Sequence, residues 1–317
     1  MARVKYDPIR LMFPHVQLRS RFRTMATGRR LVIWPYLFLA PGLTVIAVFL
    51  LYPTIRSVWL SFTDYNFLRP AAFVGANNYL EILGSPAFHN SLLVTLYYVL
   101  GTTLVVIPSA FLLALGLRSI DRFQALFRAI FFAPVVLSTV IASVLFVSVF
   151  HPFGGVLKLI PLPFGLSDAN WYRTPELVVP GLILFSAWKG MGIYLVIFLA
   201  ALETLPADVV EAARVDGASR LQSLRHVVVP LLRPIFLFAT VISLVYGFQN
   251  FAIVFTSTKG GPGDASEILP ILVYESGFEF FRMGYASALA MVMFLIVAIL
   301  SLVQFRLFRS DVAEAAT

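Results

Sequence analysis

Glu211-Ala212-Ala213-Arg214-Val215-Asp216-Gly217-Ala218 is a short charged stretch, closed by Val228-Val229-Pro230, that lies between two long apolar runs. Its pattern reads as helix, turn, helix. Pro206 and Asp208 open the first helix, with Val209 and Ala213 on one face. Gly217 stops it, because glycine takes the left-handed conformation that ends a helix without steric cost. Ser219 followed by Gln222 reads as a capping box, and Leu221, Leu224 and Val228 form an apolar stripe along the second helix. Pro230 and Pro234 end the pattern where the next apolar run begins. The expected result is a knob within residues 203–233 that offers Glu211, Arg214 and Asp216 to a soluble partner. The same pattern fits an amphipathic segment lying on a membrane surface.

The rest of the chain says which surface the knob stands on. Of 317 residues, 59% are hydrophobic and 13% charged, whereas charged residues make up about a quarter of a soluble domain. The chain is therefore expected to be an all-α membrane protein. A hydrocarbon core about 30 Å thick needs about 20 apolar residues per helix, and six segments qualify: 32–54, 91–117, 127–150, 178–202, 234–257 and 285–306. The first follows a basic stretch, yet it is too long for a secretory signal core and lacks a small-residue cleavage site, so it stays as a span. The expected domains are a basic tail over 1–30, a six-span body over 31–306 and a second tail over 307–317. Seventeen Lys and Arg residues fall on the face holding both tails and the knob, against six on the other. The positive-inside rule then makes both termini and the knob cytoplasmic. The basic N-terminal tail reads as an anchor touching anionic membrane lipid rather than nucleic acid.

Several chemistries are excluded. The absence of cysteine removes disulfides, Fe–S clusters and thiolate zinc sites, and the four histidines lack ligand spacing, so no metal site is expected. A P-loop needs Gly-Lys before Ser or Thr, but the lysines follow Val4, Leu157, Trp188 and Thr258. ATP hydrolysis, if it drives this protein, belongs to another subunit; the chain is not expected to be an enzyme or to hold a cofactor. No Gly-x-Ser-x-Gly elbow or His-Glu-x-x-His pair is present either.

Polar groups inside spans are costly and point to function or to packing. Lys189 and Tyr194 lie in the fourth span, with Gly190 and Gly192 as a candidate break. Tyr246, Gln249 and Asn250 share a face of the fifth span at i, i+3 and i+4. Amides and aromatic rings suit a sugar's hydroxyls and apolar faces. The same residues also suit hydrogen bonds between helices, worth roughly 1 kcal/mol each. One lysine is little charge for a phosphorylated polyol, which favours neutral sugars. An ion-gradient-driven transporter using Lys189, or a membrane scaffold for a cytoplasmic partner, are the alternatives that composition leaves open. No internal repeat of the kind found in inverted-repeat transporters is visible.

Glu211-Ala212-Ala213, Asp216-Gly217-Ala218 and Val228-Val229-Pro230, with Leu231 and Pro234, resemble the EAA loop of ABC importer permeases of the carbohydrate-uptake type. Similarity extends over about residues 30 to 306. It includes Ala40-Pro41, Tyr52-Pro53, Ser61-Phe62-Thr63-Asp64-Tyr65, Phe73-Val74-Gly75, Asn77-Asn78-Tyr79, Asn90-Ser91-Leu92, Pro134, Thr258-Lys259-Gly260-Gly261-Pro262-Gly263 and Gly284-Tyr285-Ala286-Ser287-Ala288. The resemblance is to the first permease of maltose-like and glycerol-phosphate-like systems, without the maltose example's extra spans and large external domain. It implies a type I importer permease fold in a bacterial or archaeal cytoplasmic membrane. The implied partners are a second permease, two ATPase copies that bind Mg-ATP, and an extracytoplasmic solute-binding protein. The implied cargo is a sugar, oligosaccharide or polyol. Glu211, Ala212, Ala213, Asp216, Gly217, Ala218 and Pro230 are then the ATPase-coupling residues, and Lys189, Tyr194, Tyr246, Gln249 and Asn250 the substrate contacts. Gly260-Gly261-Pro262-Gly263, by itself only a flexible turn, falls near the binding-protein docking site.

Overall fold

A computed structural model describes residues 33–120, 122–151, 154–159 and 169–314. The basic tail over 1–30 lies outside them. The described residues form helices and no named strand: α1 (Ile33–Ile46), α2 (Tyr52–Leu60), α3 (Asn77–Gly84), α4 (Pro86–Arg118), α5 (Gln124–Val136), α6 (Thr139–Val149), α7 (Pro175–Glu203), α8 (Ala207–Val215), α9 (Arg220–Ser223), α10 (Val229–Leu231), α11 (Arg233–Phe248), α12 (Phe251–Ser257), α13 (Leu269–Tyr274) and α14 (Met283–Glu314). The chain divides into two compact units, Met1–Thr54 and Ile55–Thr317. The first contributes α1, a π-helical turn at Ala47–Leu51 and the opening turn of α2.

Within the second unit, α4 and α7 form the most extensive helix pair. At 1.5 Å per residue the 33 residues of α4 reach about 50 Å, more than a bilayer core. Three buried clusters follow one another along it. Ile82, Phe88, Leu269 and Tyr285 surround its start. Tyr98, Val99, Leu182, Phe185 and Phe248 pack at its middle. Phe111, Leu117, Phe198, Leu202 and Val228 close its far end. Leu104, Leu112, Phe294 and Leu302 are exposed on the outside, as lipid-facing side chains are.

Lipid tails are as apolar as leucine, so helix association in a membrane relies on close van der Waals fit at small residues. A Cβ added at Gly192 of α7 would stand 2.6 Å from the Phe131 carbonyl oxygen and 2.8 Å from Phe132 Cα, so α5 lies directly against the α7 backbone there. Gly247 of α11 meets Val99 of α4 in the same way, at 3.0 Å.

Four helical stretches are long and apolar enough to cross a membrane singly: Pro35–Leu60, Pro86–Arg118, Pro175–Glu203 and Met283–Arg306. The third and fifth spans, expected as single helices, are broken. The α5–α6 pair bends by 102°, whereas the 68° bend between the run Arg220–Leu231 and α11 falls ahead of the fifth span, where Pro230 and Pro234 were expected to end the knob's pattern. Leu137 is extended (φ −63, ψ 140) two residues after the turn that holds Pro134 and ends α5. The fifth span also stops at Phe248 rather than running to 257, because Asn250 leaves helical geometry (φ −82, ψ 58) and starts α12. The break considered at Gly190 and Gly192 is absent: α7 runs unbroken through both.

At the end where α4 starts, an isolated bridge between Thr63 and Phe73 is pinned by Asn78, whose Nδ2 donates to the Ser61 and Thr63 carbonyls at 2.8 and 3.0 Å. Arg282 donates to Glu81 at 2.6 Å and covers the Tyr285 ring. The 258–267 segment is no loose turn. Ser266 bonds Thr258 and the Gly261 carbonyl, Asn90 donates to the Asp264 carbonyl, and Ser91 Oγ donates to Glu267 Oε1 at 3.0 Å. Glu267 is 5% exposed. Burial pushes its carboxyl up from the ordinary 4.5 to about 7, against the Ser91 hydrogen bond that pulls it down, with Glu275 and Asp264 adding repulsion.

Two outcomes follow from this packing. Gly192→Ala forces the α5 backbone away and is expected to cost about 1–3 kcal/mol, read as a lower melting temperature in detergent. Gly190→Ala, whose Cβ would meet only the Tyr194 ring at 3.6 Å, should leave that temperature unchanged, and equal effects at both sites would refute the close contact. For Glu267, the raised carboxyl value means that stability is full in acid. Between about pH 4.5 and 7 the unfolded chain ionises first, so stability is lost as pH rises and levels off above about 7. Melting scans of the parent should show this slope, and Glu267→Gln should flatten it.

Candidate functional site

The broken helices enclose a cavity of about 390 Å³. All five residues expected to contact substrate line it: Lys189 and Tyr194 from α7, Tyr246 from α11, and Gln249 and Asn250 at its end. They come together by a different route from the one the spacing suggests. Gln249 and Asn250 stand at the α11–α12 break rather than on one continuous helical face. Thr102 of α4, Ser186 of α7, Ser243 of α11, and Val135 and Thr139 at the α5–α6 bend complete the polar part of the wall and its rim.

Each break leaves backbone groups that need partners. Lys189 Nζ donates to the Leu137 carbonyl at 2.9 Å and the Pro134 carbonyl at 3.3 Å, which are the C-terminal carbonyls of α5 at the bend. The negative end of a helix is where a cation is favourable. At the second break Asn250 Nδ2 donates to Tyr98 Oη at 2.7 Å, and Tyr98 in turn bonds Ser186 Oγ at 2.6 Å. Ser243 bonds Thr103 at 2.8 Å. Thr102 Oγ1 is buried against the cavity with no protein partner. Tyr246 and Gln249 are exposed to it, and Tyr194 is buried.

Sequence reasoning singles out the larger polar groups and misses Tyr98, Thr102, Ser186 and Ser243. Each is a polar residue in an apolar span, Tyr98 beside Tyr97 and Thr102 beside Thr103, and polarity at that depth was the available signal.

At the other end of α7, the charged stretch folds as a knob. α8 ends in a Schellman turn: Ala218 N–H donates to the Ala213 carbonyl and Gly217 N–H to the Arg214 carbonyl, with Gly217 at φ +82. Nothing lies within 4 Å of a Cβ added at Gly217, so conformation rather than space selects glycine there. Ser219 and Gln222 make the capping box in both directions. Glu211, Ala212 and Asp216 are exposed, and Ala213, Ala218 and Pro230 are half-buried. The inward face differs from the expected one. Val210, with Leu224 and Val228, packs against the Leu117–Leu202 cluster, whereas Val209, Val215 and Leu221 are 42, 87 and 72% exposed. Leu221 thus leaves the stripe assigned to it, because the helix widens into a π-turn at Leu224–Val228.

Comparison with known proteins places this architecture. Residues 82–310 match the model of the family described as binding-protein-dependent transport system inner membrane component. The chain is 32% identical over 287 residues to the "Probable ABC transporter permease protein YurN" of Bacillus subtilis strain 168, covering 89% of this chain and 98% of that one. It is also 32% identical to the arabinooligosaccharides transport system permease protein AraP of the same strain, covering 86% and 88%. Its fold matches a chain of a bacterial alginate ABC transporter crystallised with an alginate pentasaccharide-bound periplasmic protein, with a TM-score of 0.76 and 23% identity over 87% of this chain and 94% of that one. With bent spans, a cavity at their breaks and a capped knob beyond them, the chain belongs to the family of binding-protein-dependent transport system inner membrane components.

Proposed function

We propose that this chain is one of two permeases in an ATP-driven importer for a sugar, oligosaccharide or polyol, with both termini and the knob on the cytoplasmic side. The observation that carries the proposal is a mechanical one. The helical run Arg220–Leu231 of the knob leads through a bend into α11, and the far end of α11 supplies Ser243, Tyr246 and Gly247 to the cavity. A displacement of the knob is thereby delivered to the cavity wall by a single stiff element.

The knob is built to be gripped. Val215 and Leu221 expose apolar surface beside Glu211, Arg214 and Asp216, the mixture of anchors and charges that a partner's groove buries. The partner here is an ATPase subunit that binds Mg-ATP; Glu211 is its charged contact, and Gly217 fixes the angle between the two halves of the knob. The cavity offers hydroxyl, amide and aromatic groups, the donor and stacking set that sugars use, and relatives named for arabinooligosaccharides and alginate support that class. The external segment around Gly260–Gly263 is the docking region for an extracytoplasmic solute-binding protein. ATP closes the ATPase dimer, the knob follows, and α11 rocks the bundle so that the cavity opens to the binding protein.

The test is the complete complex, purified through a tag on this chain and reconstituted in liposomes, with partners identified by mass spectrometry. Recovery of an ATPase and a second permease is expected. Gly217→Val, which penalises the left-handed turn by about 1–2 kcal/mol, should reduce uptake severalfold at an ATPase rate that no longer responds to solute. Gly217→Asn, which tolerates that conformation, should keep most of the uptake. Full uptake with Gly217→Val would overturn the lever, and recovery of the chain alone would overturn the importer.

A further inference from the structure

We propose that Lys189 selects a sugar bearing a single negative charge, such as a carboxylate or sulfonate, by pairing with it in the cavity. This rests on the reading of the cavity as the solute site, and it narrows the class of solute.

Lys189 contributes the formal charge among the described lining residues: the wall holds no Asp, Glu, Arg or His. No carboxylate of a described residue forms an ion pair with it. Its two hydrogen bonds go to carbonyls, which accept protons without neutralising the charge. An ammonium has three N–H donors, so one remains after Pro134 and Leu137 are served.

Capping two carbonyls does not require a cation. A glutamine amide has two donors and would serve the α5 end without placing a charge within the membrane, where a lysine costs about 2.5–3.5 kcal/mol at a helix centre. The helix end that Lys189 caps recovers part of that cost. A bound anion recovers more, because its opposite charge adds Coulomb attraction that is stronger away from bulk water. The surrounding groups fit the same ligand. Gln249 places an amide among the same lining residues. Tyr246 is exposed to the cavity and offers a ring to the sugar's apolar face. One ammonium balances one negative charge, which favours a monoanionic sugar, such as a uronate or a sulfonated sugar, over a phosphate dianion.

The experiment compares a strain lacking this chain with the same strain complemented by it, the other components of the system being intact. Uptake is measured for radiolabelled, size-matched pairs: glucose with glucuronate, and maltose with digalacturonate. The expected result is uptake dependent on the chain for the acidic member of a pair. Lys189→Gln should lower it at least tenfold, Lys189→Arg should retain more, and the melting temperature of Lys189→Gln should match the parent because the carbonyls keep a donor. Chain-dependent uptake of the neutral member that persists in Lys189→Gln would overturn the charge pairing while leaving the sugar importer standing. So would acidic uptake indifferent to Lys189→Gln, or an equal loss of neutral and acidic uptake, which would make Lys189 a structural cap or the counter-ion of a partner's carboxylate. Absence of chain-dependent uptake for every sugar would overturn the sugar reading, and the anion with it.

Discussion

In a hydrocarbon medium every backbone amide and carbonyl must find its partner within the protein. An unbroken helix satisfies most of that demand by itself, as α4, α7 and α14 do apart from their ends and the turns at Pro108 and Pro180. A broken helix does not, and its loose groups must be met by side chains from elsewhere. At Val136–Thr139 the Leu137 carbonyl is met by Lys189 of α7; at Gln249–Asn250 the backbone amides turn to carbonyls of their own segment, and the Asn250 side chain donates to Tyr98 of α4. The cavity is the space those residues share. Part of its polarity thus sits where apolar helices stop.

What holds the bundle is of another kind. Since lipid offers apolar contact as good as the protein's own, the helices gain by approaching closely, and they do so at Gly101, Gly192 and Gly247, where the partner is a neighbouring side chain or backbone. Gly284 plays the same part outside the spans, where an added Cβ would collide with the Thr63 carbonyl. Around these contacts α4 and α7 form a fixed pair, while α5–α6 and the knob–α11 run carry the bends. The arrangement separates a straight, closely packed pair from the bent elements around it.

Much of this was legible in the sequence, for reasons that are local. Hydropathy marks the six apolar segments whatever their tertiary contacts. The Gly217 turn and the Ser219–Gln222 box depend on residues within a few positions of one another, and the structure contains both. The breaks were not legible, because proline alone does not decide them. Pro108 and Pro180 lie inside unbroken helices, α5 ends two residues past Pro134, and α11 ends at Gln249 without any proline. The groups that meet the breaks are distant in sequence: Lys189 donates to the Leu137 carbonyl across 52 residues, and Tyr98 accepts from Asn250 across 152. The outward turn of Leu221 escaped for a similar reason: a π-turn three residues later shifts the face that a regular helical period assigns.

Lys189 has a consequence in terms of the membrane potential. Moving one elementary charge through the full field involves about 2.3 kcal/mol per 100 mV, and an interior-negative potential opposes the entry of an anion by that amount. A fixed ammonium cannot change this end-to-end work, since it stays behind when the solute leaves. It changes where along the path the work is done. With the anion paired at the cavity, the first part of the crossing runs downhill in electrostatic energy, and the uphill part is deferred to release on the other side. In the pairing and the lever proposed above, the step that must be driven is the parting of solute from lysine, where a displacement of α11, which brings Tyr246 to the cavity that Lys189 also lines, has the most leverage.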